Sequence, residues 1–428
     1  MSALPRPAPR RLVAINRYYR PDQSATAQLL GDLLEHRAAA AARSGHGELV
    51  TAIAGRQVYG QPDARLPAFE RLGGVEIRRV ASTRFGRHFL PGRLIDDVTF
   101  CLLALFSLIR LLRKGDVLIT KTDPPILPVF AVIAARLRGA RLLVWCQDLF
   151  PETAEALGVT RKLPFVASAL RAIRNLAFGK AEKIVVLDRG MAERLAYSGV
   201  DRKRIEIAAN WAPDTIHPAA AASNRFRKEP GLVGRMILGY SGNLGRVHAA
   251  AQVAGLVERS IAQDDVNWVF FGGGHGMAHI RALQARLPQG RLHLLPHQPR
   301  EELAHSLSLP DMHLVSLDPG CEGLALPSKI YGIVAAGRPV LFFGDPDGPT
   351  AALVRELGIG IVLPINEPEI AAARLRACLQ GDIRLPSTGE LRAIHDRQLC
   401  RDRALAHWSR ILGGKTDPIA GRRSMEAA

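Results

Sequence analysis

The N-terminal half of the chain alternates short apolar segments with longer helical patterns. The apolar segments are rich in β-branched residues and end at Gly, Asp or Pro, which is typical of strands. We predict strands at residues 12–19, 49–55, 75–80, 117–120, 142–147 and 183–187, and helices at residues 27–41, 98–113 and 126–137. Strands that alternate with helices in this way indicate a parallel, doubly wound sheet.

A second alternation follows an irregular segment rich in Ala, Pro and Asn at residues 210–231. Its predicted strands are 236–241, 268–271, 291–294, 313–316, 339–343 and 360–363, and its predicted helices are 249–262, 279–286, 301–307, 329–336 and 350–357. A chain of 428 residues is too long for one compact core. We therefore predict an α/β fold of two Rossmann-like, doubly wound domains that face each other across a cleft, with residues 1–213 in the first and residues 214–390 in the second.

The composition is that of a folded protein, with 47% hydrophobic and 23% charged residues. Five cysteines are scattered, odd in number and without CxxC spacing. This pattern argues against a disulfide framework and a structural zinc site, and it favours a reducing compartment. Residues 1–11 are rich in Pro and Arg and contain no apolar signal region, so we expect a cytoplasmic protein.

The formal net charge of +17 indicates an anionic partner. The chain has no zinc finger or RNP motif, so nucleic acid is not the expected partner. In residues 84–93, by contrast, arginines alternate with Phe and Leu, and an apolar segment at 98–112 follows. That segment is shorter than the ~20 residues that span a bilayer. It is interpreted first as a buried helix of the Rossmann domain, and the loop before it is expected to bind an anionic membrane surface peripherally.

Two glycine-rich turns follow predicted strands of the second half. Residues 239–245, Gly-Tyr-Ser-Gly-Asn-Leu-Gly, end a strand and open a helix, where backbone N–H groups can approach a phosphate. Arg246 and His248 lie in the same turn and could add positive charge. Residues 272–274 form a second, weaker glycine loop after the next strand. An ordinary strand-to-helix turn remains an alternative for both.

Pro327-Ser328-Lys329 begins a predicted helix and is the most informative cluster. Ser328 suits the N-cap position, but a cation at Lys329, in the first turn, opposes the helix dipole. A cation in an unfavourable position suggests an anion bound at that helix terminus. Gly332 inside the same helix suggests that a ligand or backbone packs closely against it.

The order of these motifs resembles that of family 4 glycosyltransferases, and most closely the exopolysaccharide and capsule enzymes of the colanic-acid type. In the second half the motifs are Gly-Asn-Leu-Gly at 242–245, Phe-Gly-Gly-Gly at 271–274, Pro-Arg-Glu-Glu-Leu at 299–303, Pro-Ser-Lys at 327–329 and Ala-Ala-Gly-Arg-Pro-Val at 335–340. In the first half they are Tyr-Tyr-Arg-Pro-Asp at 18–22, Gln-Asp-Leu-Phe-Pro-Glu at 147–152 and Asn-Trp at 210–211. The resemblance extends from about residue 12 to residue 411.

This resemblance implies a GT-B fold with the nucleotide-sugar donor in the C-terminal domain, retention of anomeric configuration, and no bound metal or other cofactor. It also implies that the C-terminal segment, residues 391–428, packs back onto the first domain. The donor-binding residues that it implies are Gly242, Asn243, Gly245, Arg246, Gly273, His297, Glu322, Ser328 and Lys329, and residues 296–298 would lie beside the base. The acceptor-side or interdomain residues are Asp22, Gln23 and Gln147.

The chain departs from the family pattern at several of these positions. Asn243 and His248 replace residues that are often Arg and Lys. Gly332 replaces the second family glutamate, and Glu322 stands ten residues before it. Gln147 replaces a frequent active-site His, which leaves Asp148 as the ionisable group at that strand end.

We therefore predict that Asp148, with Glu152 one helical turn later, orients or deprotonates the acceptor hydroxyl. A structural cap at the start of the next helix is the alternative for Asp148. The predicted enzyme is a hexosyl- or N-acetylhexosaminyl-transferase that acts on a polyprenyl-diphosphate-linked acceptor, at the inner face of the plasma membrane, in exopolysaccharide, capsule or lipopolysaccharide biosynthesis. A nucleotide-sugar 2-epimerase of the same fold and a non-catalytic GT-B binding subunit are the alternatives.

Overall fold

The first half of the chain forms an eight-stranded sheet. The computed structural model describes residues 11–44, 48–58, 61, 64–86, 90–160, 164–220, 224–228, 232 and 234–413. The strands of the first sheet are β1 (Arg11–Ile15), β2 (Leu49–Gly55), β3 (Phe69–Leu72), β4 (Val75–Val80), β5 (Val117–Lys121), β6 (Arg141–Trp145), β7 (Lys183–Val186) and β8 (Ile205–Ile207). Their order is β3-β4-β2-β1-β5-β6-β7-β8, and every pairing is parallel except β3 with β4. The order reverses between β1 and β5, the point at which doubly wound sheets usually bind ligands.

Helices cover both faces of this sheet. They are α1 (Ala25–Ser44), α2 (Leu90–Leu111), α3 (Leu127–Arg138), α4 (Glu152–Ala156), α5 (Pro164–Phe178) and α6 (Arg189–Tyr197). The inward side chains of α1 pack on one face of the sheet, in a core with Leu12 and Trp145. Those of α2, α3 and α5 pack on the opposite face, where α3 contacts both of its neighbours.

The second half forms a six-stranded, wholly parallel sheet with the same winding. Its strands are β9 (Met236–Asn243), β10 (Val266–Gly273), β11 (Leu292–Leu295), β12 (Met312–Ser316), β13 (Val340–Gly344) and β14 (Gly360–Pro364), in the order β11-β10-β9-β12-β13-β14. Its helices are α7 (Ala250–Gln263), α8 (Met277–Gln284), α9 (Leu303–Ser308), α10 (Lys329–Ala335), α11 (Pro349–Leu357) and α12 (Pro368–Gln380). The strand order reverses between β9 and β12, so the turn after β9 lies at the predicted ligand-binding edge.

Main-chain hydrogen bonds join the two halves across the cleft. The amide of Leu149 donates to the carbonyl of Leu324 at 2.8 Å, and Asp148 and Ala325 form an isolated antiparallel bridge. The Arg194 guanidinium donates to the carbonyl of Glu322 at 3.2 Å. The loop before α10 therefore lies directly against the segment that follows β6.

The last helix returns to the first half. The chain runs through α13 (Thr388–Ile394) and a π-helical turn (His395–Leu399), which both contact α10 of the second half, into α14 (Arg401–Ile411), which contacts α1. Trp408 of α14 is fully buried, and its ring centroid lies 4.4 Å from that of Trp145. Trp211 also stacks on Trp145, with ring centroids 5.9 Å apart, and donates from its indole N–H to Asp32 at 3.0 Å. Three tryptophans thus attach the C-terminal helix to the core beside α1.

The structure contains elements that were not among those predicted from the sequence, namely strands β3 and β8 and helices α4, α5, α6 and α12. In addition, α2 begins at Leu90 rather than at residue 98. The prediction that the apolar segment 98–112 is buried is wrong for one side of α2, because Val98, Leu102 and Phe106 are exposed. Among the described residues no helix combines the length and the apolar character that a membrane span requires.

Candidate functional site

The two predicted glycine turns of the second domain lie against each other. Leu244, in the turn after β9, donates its amide to the carbonyl of Gly273, and the amide of Gly276 donates back to the carbonyl of Leu244. Gly242 has a φ of 117° and Gly272 a φ of 125°, which side-chain-bearing residues rarely adopt. The two loops therefore form one interlocked edge at the carboxyl ends of β9 and β10.

Two glycines of the second loop are required by this packing. A Cβ atom on Gly272 would lie 2.2 Å from the carbonyl oxygen of Gly242, and one on Gly274 would lie 2.5 Å from Oδ1 of Asn243. Gly273 has more room, and a Cβ there would lie 3.3 Å from Nε2 of His297. The structure thus brings the predicted residues Gly273, His297 and Asn243 together, but it explains Gly272 and Gly274 by loop packing alone.

Lys329 lies at the start of α10 and reaches back to the turn after β9. Its ammonium nitrogen lies 3.7 Å from the ring centroid of Tyr240 and donates to the Tyr240 hydroxyl at 2.5 Å. A Cβ on Gly242 would be 3.9 Å from the same nitrogen. The residue is partly exposed, yet the protein surrounds its ammonium group closely enough to lower the pKa of Lys329 to about 7.

No carboxylate of the described residues forms an ion pair with this ammonium group. A desolvated cation without a counter-charge is unfavourable unless an anion completes the site. Lys329 and the positive-φ turn at Gly242 therefore form a place where a phosphate group fits.

The neighbouring polar residues have different roles. Arg246 is exposed and makes no ion pair within the described part of the chain, so its charge is available. The expectation that His248 adds charge is wrong: burial, with the nearby charge of Lys329, lowers the pKa of His248 to about 3. Its Nδ1 lies 2.7 Å from the carbonyl oxygen of Ser316, which fixes the ring to the end of β12. Ser328 occupies the N-cap position of α10, but its hydroxyl makes no capping hydrogen bond.

Glu322 is a cap for another helix. Its Oε2 accepts from the amide of Thr350 at 3.2 Å and from the Thr350 hydroxyl at 2.8 Å, in the first turn of α11. Burial raises the pKa of Glu322 to about 7, although these bonds lower it. The structure therefore gives Glu322 a structural role in the loop before α10, and the donor contact that the resemblance implied stays a prediction. Gly332, likewise, packs against the side chain of Leu307 rather than a ligand.

The opposite wall of the cleft carries a charged group at the ends of β5 and β6. Asp148 is exposed to the cleft, and its pKa is raised by the surrounding protein and by the negative charge of Asp123, while Lys121 lowers it. Lys121 itself is fully buried, lies 3.8 Å from the ring centroid of Trp145, and donates to the carbonyl of Thr26 at 3.3 Å. Burial lowers the pKa of Lys121 to about 7, while the charges of Asp123 and Asp148 raise it.

Glu152 forms ion pairs with a neighbouring helix. Its two carboxylate oxygens accept from Arg174 at 2.5 and 2.8 Å, and Arg171 adds a contact at 3.3 Å. These arginines belong to α5, so Glu152 ties α4 to α5. The part that Glu152 was expected to play beside Asp148 stays a prediction.

The remaining acceptor-side residues lie at loop ends. Gln147 and Asn210 exchange two side-chain hydrogen bonds, at 3.0 and 3.4 Å, which link the end of β6 to the segment between the domains. Asp22 is buried and accepts from the amide of Ser24, before α1. Gln23 is exposed beside it. Gln147 therefore fixes the segment between the domains to the end of β6, and Asp22 fixes the turn before α1.

The sequence analysis missed Lys121 and Tyr240. Tyr240 lies within the predicted turn, but nothing in the sequence indicated that its ring would support Lys329. Lys121 ends an apolar strand, Val-Leu-Ile-Thr-Lys, directly before Thr-Asp-Pro-Pro. A lysine at the carboxyl end of a buried strand was the signal that could have identified it.

Residues 32–211 match the family described as glycosyl transferase 4-like domain. This part of the chain is therefore similar to that family. The motif resemblance to family 4 glycosyltransferases is thereby confirmed.

Two bacterial proteins are similar to more than half of the chain. WbjE of Pseudomonas aeruginosa, whose name describes it as a probable glycosyltransferase, is 26% identical over 264 residues, which are 61% of this chain and 66% of WbjE. WcaI of Escherichia coli K12, whose name describes a colanic acid biosynthesis glycosyl transferase, is 25% identical over 253 residues, which are 58% of this chain and 62% of WcaI. Both alignments span less than two thirds of the relative.

The solved structure of HepE from Anabaena in complex with UDP-glucose has a TM-score of 0.68 with this chain. The match covers 94% of this chain and 99% of HepE at 11% identity. This likeness confirms the predicted GT-B fold over both domains.

Proposed function

We propose that this protein is a glycosyltransferase that transfers a sugar from a nucleotide-sugar to an acceptor in the biosynthesis of a bacterial surface polysaccharide. The observation that carries the proposal is the unpaired ammonium group of Lys329 beside the glycine turn of Gly242. Such a site suits the diphosphate of a nucleotide-sugar, whose negative charge grows as the sugar departs. The family match and the names of WbjE and WcaI support the same reaction class.

The donor would lie along the edge formed by β9, β10 and α10. Lys329 and the exposed Arg246 would neutralise the diphosphate, while amides of the turn after β9 approach it. His297, beside Gly273, would contact the base side of the nucleotide. UDP-glucose in the HepE structure supports a nucleotide-sugar as ligand class for this fold.

The acceptor would approach from the first domain, where Asp148 faces the cleft. An ionised Asp148 could accept a hydrogen bond from the attacking hydroxyl. Because the pKa of Asp148 is raised, activity that depends on its ionised form should decline at a higher pH than for an ordinary aspartate. Retention of configuration, a polyprenyl-diphosphate-linked acceptor and action at the cytoplasmic face of the membrane are further parts of the proposal.

The test begins with thermal unfolding in the presence of a panel of UDP-, GDP- and dTDP-sugars. A matching donor at 100 times its dissociation constant adds about 2.7 kcal/mol to the free energy of unfolding. In the Lys329→Met variant we expect its affinity to fall about tenfold or more, because one charge-assisted hydrogen bond is lost. Lys183→Met, on β7 far from the turn, is the control that should bind normally.

Nucleotide release that requires an acceptor would then separate a transferase from an epimerase or a non-catalytic subunit. If no nucleotide-sugar stabilises the wild-type protein, or if Lys329→Met binds the donor as tightly as the wild type does, the proposed donor site is wrong.

A further inference from the structure

Three helices of the first domain present an apolar outer surface. Helices α2, α3 and α5 lie side by side over one face of the sheet. They carry more than half of the exposed large apolar side chains in the described part of the chain. We call these side chains the three-helix face: Leu94, Ile95, Val98, Leu102, Leu103 and Phe106 on α2, Ile133 and Leu137 on α3, and Phe165, Val166, Ile173 and Leu176 on α5.

The spacing of these residues makes continuous stripes. On α2, Leu94, Val98, Leu102 and Phe106 recur every four residues and therefore share one side of the helix. The other side of α2, which includes Phe100 and Leu108, is buried in the core. The core of the first domain requires only the inner side of α2 to be apolar. The fold alone therefore does not explain why the outer side is apolar as well. Exposed apolar surfaces of this extent usually mark an interaction site.

The exposed charged residues on the three helices themselves are cationic. The only acids on the three helices, Asp96 and Asp97, are buried: Asp96 accepts from the amides of Phe85 and Gly86, and Asp97 pairs with Arg17. The exposed charged residues on these helices and the turns after α2 and α3 are Arg93, Arg110, Arg113, Lys114, Arg136 and Arg138. The Arg110 guanidinium lies 3.9 Å from the ring centroid of Phe106, so a cation borders the apolar stripe directly.

We infer that the three-helix face docks on an anionic lipid bilayer. Apolar side chains enter the boundary between headgroups and acyl chains, and the surrounding arginines bind lipid phosphates. A two-fold dimer through this face would instead bring the same cations of two copies together without acids to balance them. The inference extends the predicted contact at residues 84–93, of which 87–89 lie outside the described residues. The inference rests on the proposed function only in one respect, namely that docking would present a lipid-linked acceptor to the enzyme.

Liposome flotation of the purified full-length protein tests the inference without any donor or acceptor. Vesicles of phosphatidylcholine alone are compared with vesicles that also contain phosphatidylglycerol. The test variants are Leu102→Glu with Phe106→Glu on α2, and Phe165→Glu on α5. The control is Ile370→Glu on α12, an exposed apolar residue of the second domain that lies outside the three-helix face. All four positions are at the surface, so circular dichroism and thermal unfolding should match the wild type.

We expect the wild type and Ile370→Glu to float with the vesicles that contain phosphatidylglycerol, and both sets of variants on the three-helix face to remain at the bottom. Added salt should weaken binding without abolishing it, because the apolar contact is insensitive to screening. The inference is overturned if the wild type does not float at low salt, or if the three-helix variants float as well as Ile370→Glu. It is also overturned if light scattering shows that the wild type is a dimer and the variants are monomers, while the wild type does not bind the vesicles.

Discussion

Lys121 in the first domain and Lys329 in the second both have lowered pKa values, but their surroundings differ. Lys329 reaches a glycine turn where an anion fits, whereas Lys121 is sealed between Trp145, the first turn of α1 and the carboxylates of Asp123 and Asp148. Lys121 cannot contact a ligand, because its side chain is fully buried. The charged form of Lys121 therefore lowers the free energy of unfolding, by an amount that depends on pH.

Replacing Lys121 by Met should change how stability depends on pH. The folded-state pKa of Lys121, about 7, lies below the value of about 10.4 in an unfolded chain. Between these values the unfolded state binds more protons, so stability rises with pH by up to about 1.4 kcal/mol per pH unit. Relative to the wild type, Lys121→Met should thus be most stabilised at or below pH 7 and lose this advantage towards pH 10. Urea unfolding of both proteins between pH 7 and pH 10 measures this difference in the free energy of unfolding. A difference that stays constant with pH would contradict the prediction.

A second residue-scale prediction concerns Gly272. Substitution by Ala would place its Cβ against the carbonyl of Gly242 and force an unfavourable φ, so the interlocked loops should separate. Gly290 is the control, because it also has a positive φ but a Cβ at that position would have no atom within 4 Å. We expect Gly290→Ala to cost about 1–2 kcal/mol and keep nucleotide-sugar binding. Gly272→Ala should lose binding, measured by calorimetry; equal binding by the two variants would show that the loop geometry is dispensable.

At the scale of single elements, α14 belongs to the first domain although it ends the described chain. Trp408 packs against Trp145 in the core beside α1, together with Leu405 and Ile411. Arg401 adds an ion pair with Asp214 and a contact with Asp32. The stability of the first domain therefore depends on residues that lie far from it in sequence.

Trp408→Ala should destabilise the first domain by about 3–5 kcal/mol, the usual cost of removing a buried aromatic side chain. Arg410→Ala, at an exposed position of the same helix, should have little effect. Chemical denaturation followed by tryptophan fluorescence compares the variants. Similar midpoints for Trp408→Ala and the wild type would mean that α14 is not an integral part of that core.

The sequence predicted most strands and helices of both halves from their apolar patterns, but α5 and α12 were missed. It failed for α2, because a helix that is apolar on both sides is normally buried, and one side of α2 serves the three-helix face instead. The β3–β4 hairpin could have been found from the Gly73-Gly74 turn, both residues of which have positive φ. The structural contacts of Glu322 and Glu152 could not have been found from the sequence, because Thr350 and Arg174 approach them only through tertiary packing.

At the scale of the whole molecule, the proposed transferase should work without a divalent metal. The expectation comes from the family resemblance, with Lys329 and Arg246 in place of a metal at the diphosphate. Activity should therefore be unchanged after treatment with EDTA and dialysis. Loss of activity that magnesium or manganese restores would contradict this, and a matched assay with calcium would show whether the effect is specific.

The hydrogen bond from the Leu149 amide to Leu324 also supplies a native reporter of domain movement. If the two halves separate to admit or release a nucleotide, this amide loses its partner and becomes open to solvent, while amides inside β6 stay protected. Deuterium uptake at Leu149, compared with that at Val144 in the preceding strand, would therefore measure how often the cleft opens. A bound donor that holds the halves together should slow deuterium uptake at Leu149 and leave uptake at Val144 unchanged.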